Sequence, residues 1–288
     1  MCDDDIHPGL VQDPTVSRRG LGLWTVAAAG VAAATAAGAQ AKVVEKDVQV
    51  KTPDGVSDSV LFYPEGKGTW PGVLLWPDIM GLRPVKREMG RRLASAGYVV
   101  LVVNPFYRSA KAPVLPGNIN FSDPATRATL MGYRQAMTNE GIDKDAVAYV
   151  AFLDAQPQTK KKARVGVQGY CMGGPLSFRT AGAVPGRIGA VGSFHGGGLV
   201  TKEASSPHLL IPKTKAEYLV AVARNDDARA PDDKEVLKKA FADAGKRAVV
   251  EVYTADHGWC VPGSQVYDQA QAERAWSELL AMYKRALV

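Results

Sequence analysis

The stretch "VGVQGYCMGG", residues 165–174, decides the fold. Val165 and Val167 alternate with small or polar neighbours, the pattern of a short strand. Gly169, Cys171 and Gly173 follow at two-residue spacing. A cysteine that only fills a core needs no flanking glycines. A cysteine held at the tip of a sharp strand-to-helix turn does, because the backbone there folds close upon itself. A helix starting directly after it also brings amide dipoles to the sulfur and favours the thiolate.

The same alternation of strand and helix extends in both directions. "VVEKDVQV" and "DSVLFYP" read as antiparallel strands around a Pro-Asp-Gly turn at 53–55. "PGVLLWP" (71–77) and "YVVLVVNP" (98–105) are continuous apolar runs, as expected of strands buried on both faces. Between them Met89, Leu93 and Ala96 recur at helical spacing before Gly97. "SAKAPVLPGNINFSDPATR" (109–127) lacks periodicity and reads as a long loop or small cap. Helices are expected near 140–155, after Cys171, over 231–245 and over 266–287. Strands are expected at "RIGAVGSF", "AEYLVAVA" and "AVVEVYTA". This order predicts an α/β fold with a mostly parallel sheet and helices on both faces, in one domain over 42–288.

Residues 1–41 read differently. Ser17-Arg18-Arg19 precedes an Ala-rich apolar run that ends in Ala39-Gln40-Ala41. This is the pattern of a twin-arginine export signal cut after Ala41, implying the twin-arginine machinery as a partner and a periplasmic or otherwise exported product. An uncleaved leader acting as a membrane anchor is the alternative. With the signal removed, no stable membrane association is expected. The chain has 35 Lys+Arg against 29 Asp+Glu, a net charge of +6. "KKKAR" at 160–164 is the one dense basic cluster and lacks interleaved aromatics, so nucleic acid is not an expected partner. The three cysteines form no CxxC pair and no zinc-type Cys/His spacing, and no phosphate-cradling or dinucleotide motif is present. No metal and no cofactor are expected.

In a parallel sheet, functional side chains collect in the loops beyond the carboxyl ends of the strands. A nucleophile on such a sheet is followed along the chain by an acid and then a histidine. "VAVARNDD" offers Asp226 or Asp227, and "YTADHGW" offers His257. Asp256 adjoins the histidine and is poorly placed to orient its far nitrogen, so it reads as loop structure. His195 ends another strand, where it either lines the pocket or is structural, the structural role being favoured, and His208 reads as surface. Trp259 is the tryptophan best placed to line a pocket, because it shares the histidine loop. Cys260, three residues past His257, raises a redox reading in which it pairs with Cys171.

Together "WPDIMGL" (76–82), "NPFYR" (104–108), "GYCMGG" (169–174), "ARNDDARAP" (223–231) and "ADHGWCVP" (255–262) resemble the dienelactone hydrolase family of α/β-hydrolases over essentially the whole of 42–288. The resemblance implies an α/β-hydrolase fold and a catalytic triad of Cys171, Asp226 and His257. It implies an oxyanion hole from the amides of Ile79 and Met172. Asp78 stands where the family usually has a glutamate that contacts the resting thiol. Arg108 stands where the family binds a substrate carboxylate. A second family arginine is replaced by Val261, which weakens the expectation of a strongly acidic substrate. The implied activity is hydrolysis of lactones or small carboxylic esters through a thioester. Thioester or peptide substrates, and a non-catalytic binding protein on the same scaffold, stay open.

Overall fold

The structure, a computed structural model, describes residues 42–117 and 119–288; the expected leader lies outside the described residues. The two alternating segments form β1 (Val43–Thr52) and β2 (Gly55–Pro64), a hairpin in unbroken register from Val43 opposite Pro64 to Thr52 opposite Gly55. The apolar runs become β3 (Gly72–Trp76), β4 (Val99–Val102), β5 (Val165–Tyr170) and β6 (Ile188–Phe194), in which every residue is buried. β7 (Glu217–Ala223) and β8 (Ala248–Tyr253) complete one sheet of order β1-β2-β4-β3-β5-β6-β7-β8. Pairing is antiparallel from β1 to β4 and parallel from β4 to β8.

The helices are α1 (Pro84–Ser95), α2 (Pro124–Gln135), α3 (Asn139–Ala155), α4 (Gly173–Ala183), α5 (Arg224–Arg229), α6 (Asp233–Asp243) and α7 (Gln269–Ala286). The two-residue period of the strands divides the core into two layers. Val73 and Leu75 pack with Leu93 of α1 and Leu279 of α7. Leu74 and Trp76 pack with Leu153 of α3, Leu176 of α4 and Phe241 of α6. Two buried polar contacts tie strands to helices: Trp76 Nε1 donates to Thr180 Oγ1 at 2.9 Å, and Tyr149 donates to Ser57 Oγ at 2.9 Å. The edge strand β1 carries Glu45 and Asp47, both paired to Arg87 of α1, which keeps a free strand edge charged.

Four elements depart from the sequence reading. α2 rises out of the segment expected to be a loop, started by Asp123, whose carboxylate accepts the Thr126 amide at 2.7 Å, and by Pro124. Its first six residues, PATRAT, carry no large apolar side chain, and only in its second half do Leu130, buried, and Met131 and Tyr133, half-buried, meet the core, so the apolar signal in the sequence is short. α5 is a six-residue turn with no buried residue, and Pro207–Lys213 forms a 3₁₀ helix in the loop carrying His208. α7 begins at Gln269, capped by Asp268, rather than at 266.

Candidate active site

The turn from β5 into α4 holds Cys171 at φ 52°, a left-handed conformation costly for a residue with a Cβ. Its neighbours explain why the chain tolerates it. A Cβ on Gly169 would lie 1.9 Å from the Gly173 carbonyl oxygen, and one on Gly173 would lie 2.5 Å from the Trp76 carbonyl oxygen. Both glycines are therefore required by close backbone approach. The turn is held by the Cys171 amide donating to Phe194 O at 3.0 Å and the Gly174 amide donating to Cys171 O at 3.0 Å. The sulfur sits at the carboxyl end of the sheet, where the loops after β6, β7 and β8 converge on it.

Of the two candidate aspartates, Asp226 is the one that reaches the histidine. Asp226, in the first turn of α5, meets His257 Nδ1 through Oδ2 at 2.6 Å. Asp227 turns away to Lys234 at 2.7 Å. The loops carrying Asp226 and His257 are locked together: the Asn225 side chain accepts the His257 amide at 2.8 Å, and the Arg224 amide donates to Ala255 O at 2.9 Å. Asp256 pairs with Arg224 at 3.0 Å, a loop contact as its position suggested. Cys171 Sγ and one nitrogen of His257 lie within 4.8 Å.

A third side chain joins them, for which the sequence reading favoured a structural role over lining the pocket. His195, at φ 42° just beyond β6, lies in the same 4.8 Å cluster and packs edge-on against His257 with ring centroids 4.7 Å apart. It is 1% exposed, and neither ring nitrogen has a hydrogen-bond partner. Burial foremost, with His257 and Lys86 nearby, holds it well below the usual imidazole range. The one signal in the sequence is its place directly after a strand that pairs with β5.

Asp78 follows β3 and is buried, with a role the sequence did not indicate. Its carboxylate meets Arg83 at 2.6 Å and the fully buried Lys86 at 2.9 Å, and accepts the Met80 amide at 3.0 Å. Burial alone would raise its pKa, but these two cations hold it well below the usual carboxylate range. Lys86 also sits 4.4 Å above the ring of Tyr170, the residue before Cys171. One ammonium thus ties the loop of Ile79 to the turn of Met172. Both residues are buried, and among the described residues neither amide donates to a protein acceptor.

Two expectations are corrected. Arg108 does not wait for a substrate carboxylate. Its guanidinium is gripped by both oxygens of Asp145, at 2.7 and 2.8 Å, and by Asp54 at 2.7 Å, which fastens the β1–β2 turn to α3. Trp259 lines no pocket. It is fully buried and stacked on Tyr253 at 4.7 Å, anchoring the histidine loop to the core. No disulfide joins Cys171 and Cys260; Cys260 packs in the layer of α1 and α7, where burial raises its thiol pKa.

A strained cysteine between two crowded glycines, followed in chain order by an acid and a histidine bonded to each other, on a mostly parallel eight-stranded sheet, defines the α/β-hydrolase class. The chain belongs to the dienelactone hydrolase family, whose model matches residues 57–287. A carboxymethylenebutenolidase of Pseudomonas sp. (strain P51) is 27% identical over 222 residues, covering 76% of this chain and 86% of that one. A candidate carboxymethylenebutenolidase of Saccharomyces cerevisiae is 31% identical over 123 residues, 43% of this chain; the match spans only 42% of that protein's length. Among solved structures, a candidate dienelactone hydrolase of Klebsiella pneumoniae superposes with a TM-score of 0.73 at 21% identity, covering 85% of this chain and 99% of that one.

Proposed function

We propose that the protein hydrolyses lactones or small carboxylic esters through a thioester on Cys171. The observation that carries this reading is the 2.6 Å contact of Asp226 with His257 Nδ1, which leaves Nε2 as the nitrogen for the strained thiol nearby. His257 takes the Cys171 proton, and the sulfur attacks the carbonyl carbon. The resulting oxyanion is met by the amides of Ile79 and Met172. The C–O bond then breaks, His257 returns the proton to the leaving oxygen, and the acyl group stays on sulfur. A water deprotonated by His257 attacks the thioester, releasing the acid and restoring the thiol.

Both the family membership and the names of the relatives favour lactones and esters over thioesters or peptides. The engagement of Arg108 elsewhere, with Val261 in the place of the second family arginine, favours a substrate with less negative charge. Export through the twin-arginine route belongs to the same proposal, supported by Ser17-Arg18-Arg19 and the apolar run after it. Hydrolysis of p-nitrophenyl acetate and of a dienelactone, compared between the native chain and Cys171→Ala, tests the chemistry. Mass spectrometry of the quenched enzyme should find the acyl group on Cys171. Turnover undiminished in Cys171→Ala would overturn the proposal, and fractionation of cells carrying Arg18→Lys/Arg19→Lys tests export.

A further inference from the structure

A thiol hydrolase needs one imidazole beside its sulfur, and this site has two. His257 is accounted for by Asp226. His195 is buried to 99% of its surface with both nitrogens unpartnered, which hydrolysis does not explain. Its ring is aimed at the cluster: one nitrogen of each histidine and Cys171 Sγ lie within 4.8 Å of one another. We propose that Cys171, His195 and His257 form a Cys-His₂ site for a soft divalent cation of the zinc type, and that the cation and the substrate exclude one another.

The donor set suits that class of ion. Thiolate and imidazole together select zinc-like metals over hard cations such as magnesium. Three protein ligands leave a fourth tetrahedral position for water. Bond lengths of about 2.0–2.3 Å place tetrahedral donors about 3.5 Å apart, so the three atoms must close by about 1 Å, within reach of side-chain rotation. The outer shell is already built. Asp226 on His257 Nδ1 makes a carboxylate–histidine pair that fixes the ring and presents Nε2, as at zinc sites generally. Three separate loops supply the ligands, after β5, β6 and β8, so no short spacing in the sequence marks the site.

Binding forms one S–metal and two N–metal bonds and releases the thiol proton of Cys171 to solvent, with no change of oxidation state. With its Nε2 on the metal His257 can no longer act as a base, and the coordinated sulfur is a weaker nucleophile, so occupancy halts turnover; this last step rests on the proposed hydrolase reading. Metal binding itself does not.

The test is titration of the full, reduced chain with Co²⁺ in the absence of substrate, read by the sulfur-to-cobalt charge-transfer band and then by displacement with Zn²⁺. One Co²⁺ per chain with that band is expected, absent in Cys171→Ala. His195→Asn is the informative variant, because asparagine tolerates the positive φ at this position. Loss of an outer-shell partner costs about 10- to 100-fold in affinity, so loss of this ligand should cost at least about tenfold. Should His195→Asn not fold, X-ray absorption of the zinc-loaded native chain should count one sulfur and two imidazole nitrogens. The proposal is overturned by a missing band, by a band that survives Cys171→Ala, by unchanged affinity in a folded His195→Asn, or by a single imidazole in the absorption spectrum. An active esterase without the cobalt band would reject the metal site alone, and a band without esterase activity would reject the hydrolase reading alone.

Discussion

Asp226 Oδ2 lies 2.6 Å from His257 Nδ1, and its immediate neighbour Asp227 pairs instead with Lys234 at 2.7 Å. Two adjacent carboxylates thus carry different work, because a single helical turn points them apart.

The first prediction separates them. Asp226→Asn presents the wrong hydrogen-bonding face to His257 and should lower kcat by roughly 10⁴-fold, as in other triads of this geometry. Asp227→Asn should leave kcat unchanged and cost at most a few tenths of a kcal/mol, the scale of a partly exposed pair. Equal kinetic losses in the two variants would reject the assignment.

The second concerns the glycine before the nucleophile. A Cβ at Gly169 meets the Gly173 carbonyl at 1.9 Å, and backbone on that side cannot swing aside as a side-chain tip would. Gly169→Ala should destabilise by more than about 4 kcal/mol or prevent folding, measured by urea unfolding. A variant with native stability would mean that the turn has more room than the structure allows.

The third is a pH dependence. His195 is held well below the unfolded value of about 6.5, so between the two values the unfolded chain binds a proton that the native chain does not. Stability therefore rises with pH across that interval, and it falls by up to about 1.4 kcal/mol for each unit of acidification below about 6.5. The drop in unfolding midpoint between about pH 7.5 and pH 5 should shrink in His195→Asn. An unchanged drop would assign it to other groups.

The fourth addresses the buried cation. Lys86→Met removes the ammonium that contacts both Asp78 and Tyr170, leaving Asp78 with Arg83. Breaking a buried pair from one side costs about 3–5 kcal/mol. Because Asp78 is held low, its contribution is complete above the unfolded value of about 3.9 and is lost as pH falls through the folded one. The native chain should accordingly lose stability faster than Lys86→Met below about pH 4.

What the sequence disclosed, and what it hid, follows from the range of the forces involved. Strand and helix alternation is local, and so is the glycine spacing around Cys171; both were legible, as was the chain order of Cys171, acid and His257. α2 was hidden because its large apolar residues are confined to its second half, too short a run to show a period. His195 was hidden because what brings it to the sulfur is the parallel pairing of β5 and β6, with Tyr170 opposite Phe194. Arg108 and Trp259 were misread for a related reason. A guanidinium is taken by whichever carboxylates the fold delivers, here Asp145 and Asp54, and a ring beside the histidine loop can face the core.

Leu130 is the one buried side chain of α2, and its cap, Asp123, bonds only within its own turn. Beside it Met131 and Tyr133 are half-buried against the core, the Tyr133 ring 5.8 Å from that of Phe106, so the helix is attached to the body of the protein through its second half. A library that keeps Leu130 and randomises the exposed positions of 124–135 should retain the fold in most of its members. This is where the chain can accumulate change at the least thermodynamic consequence, while the crowded turn around Cys171 admits almost none.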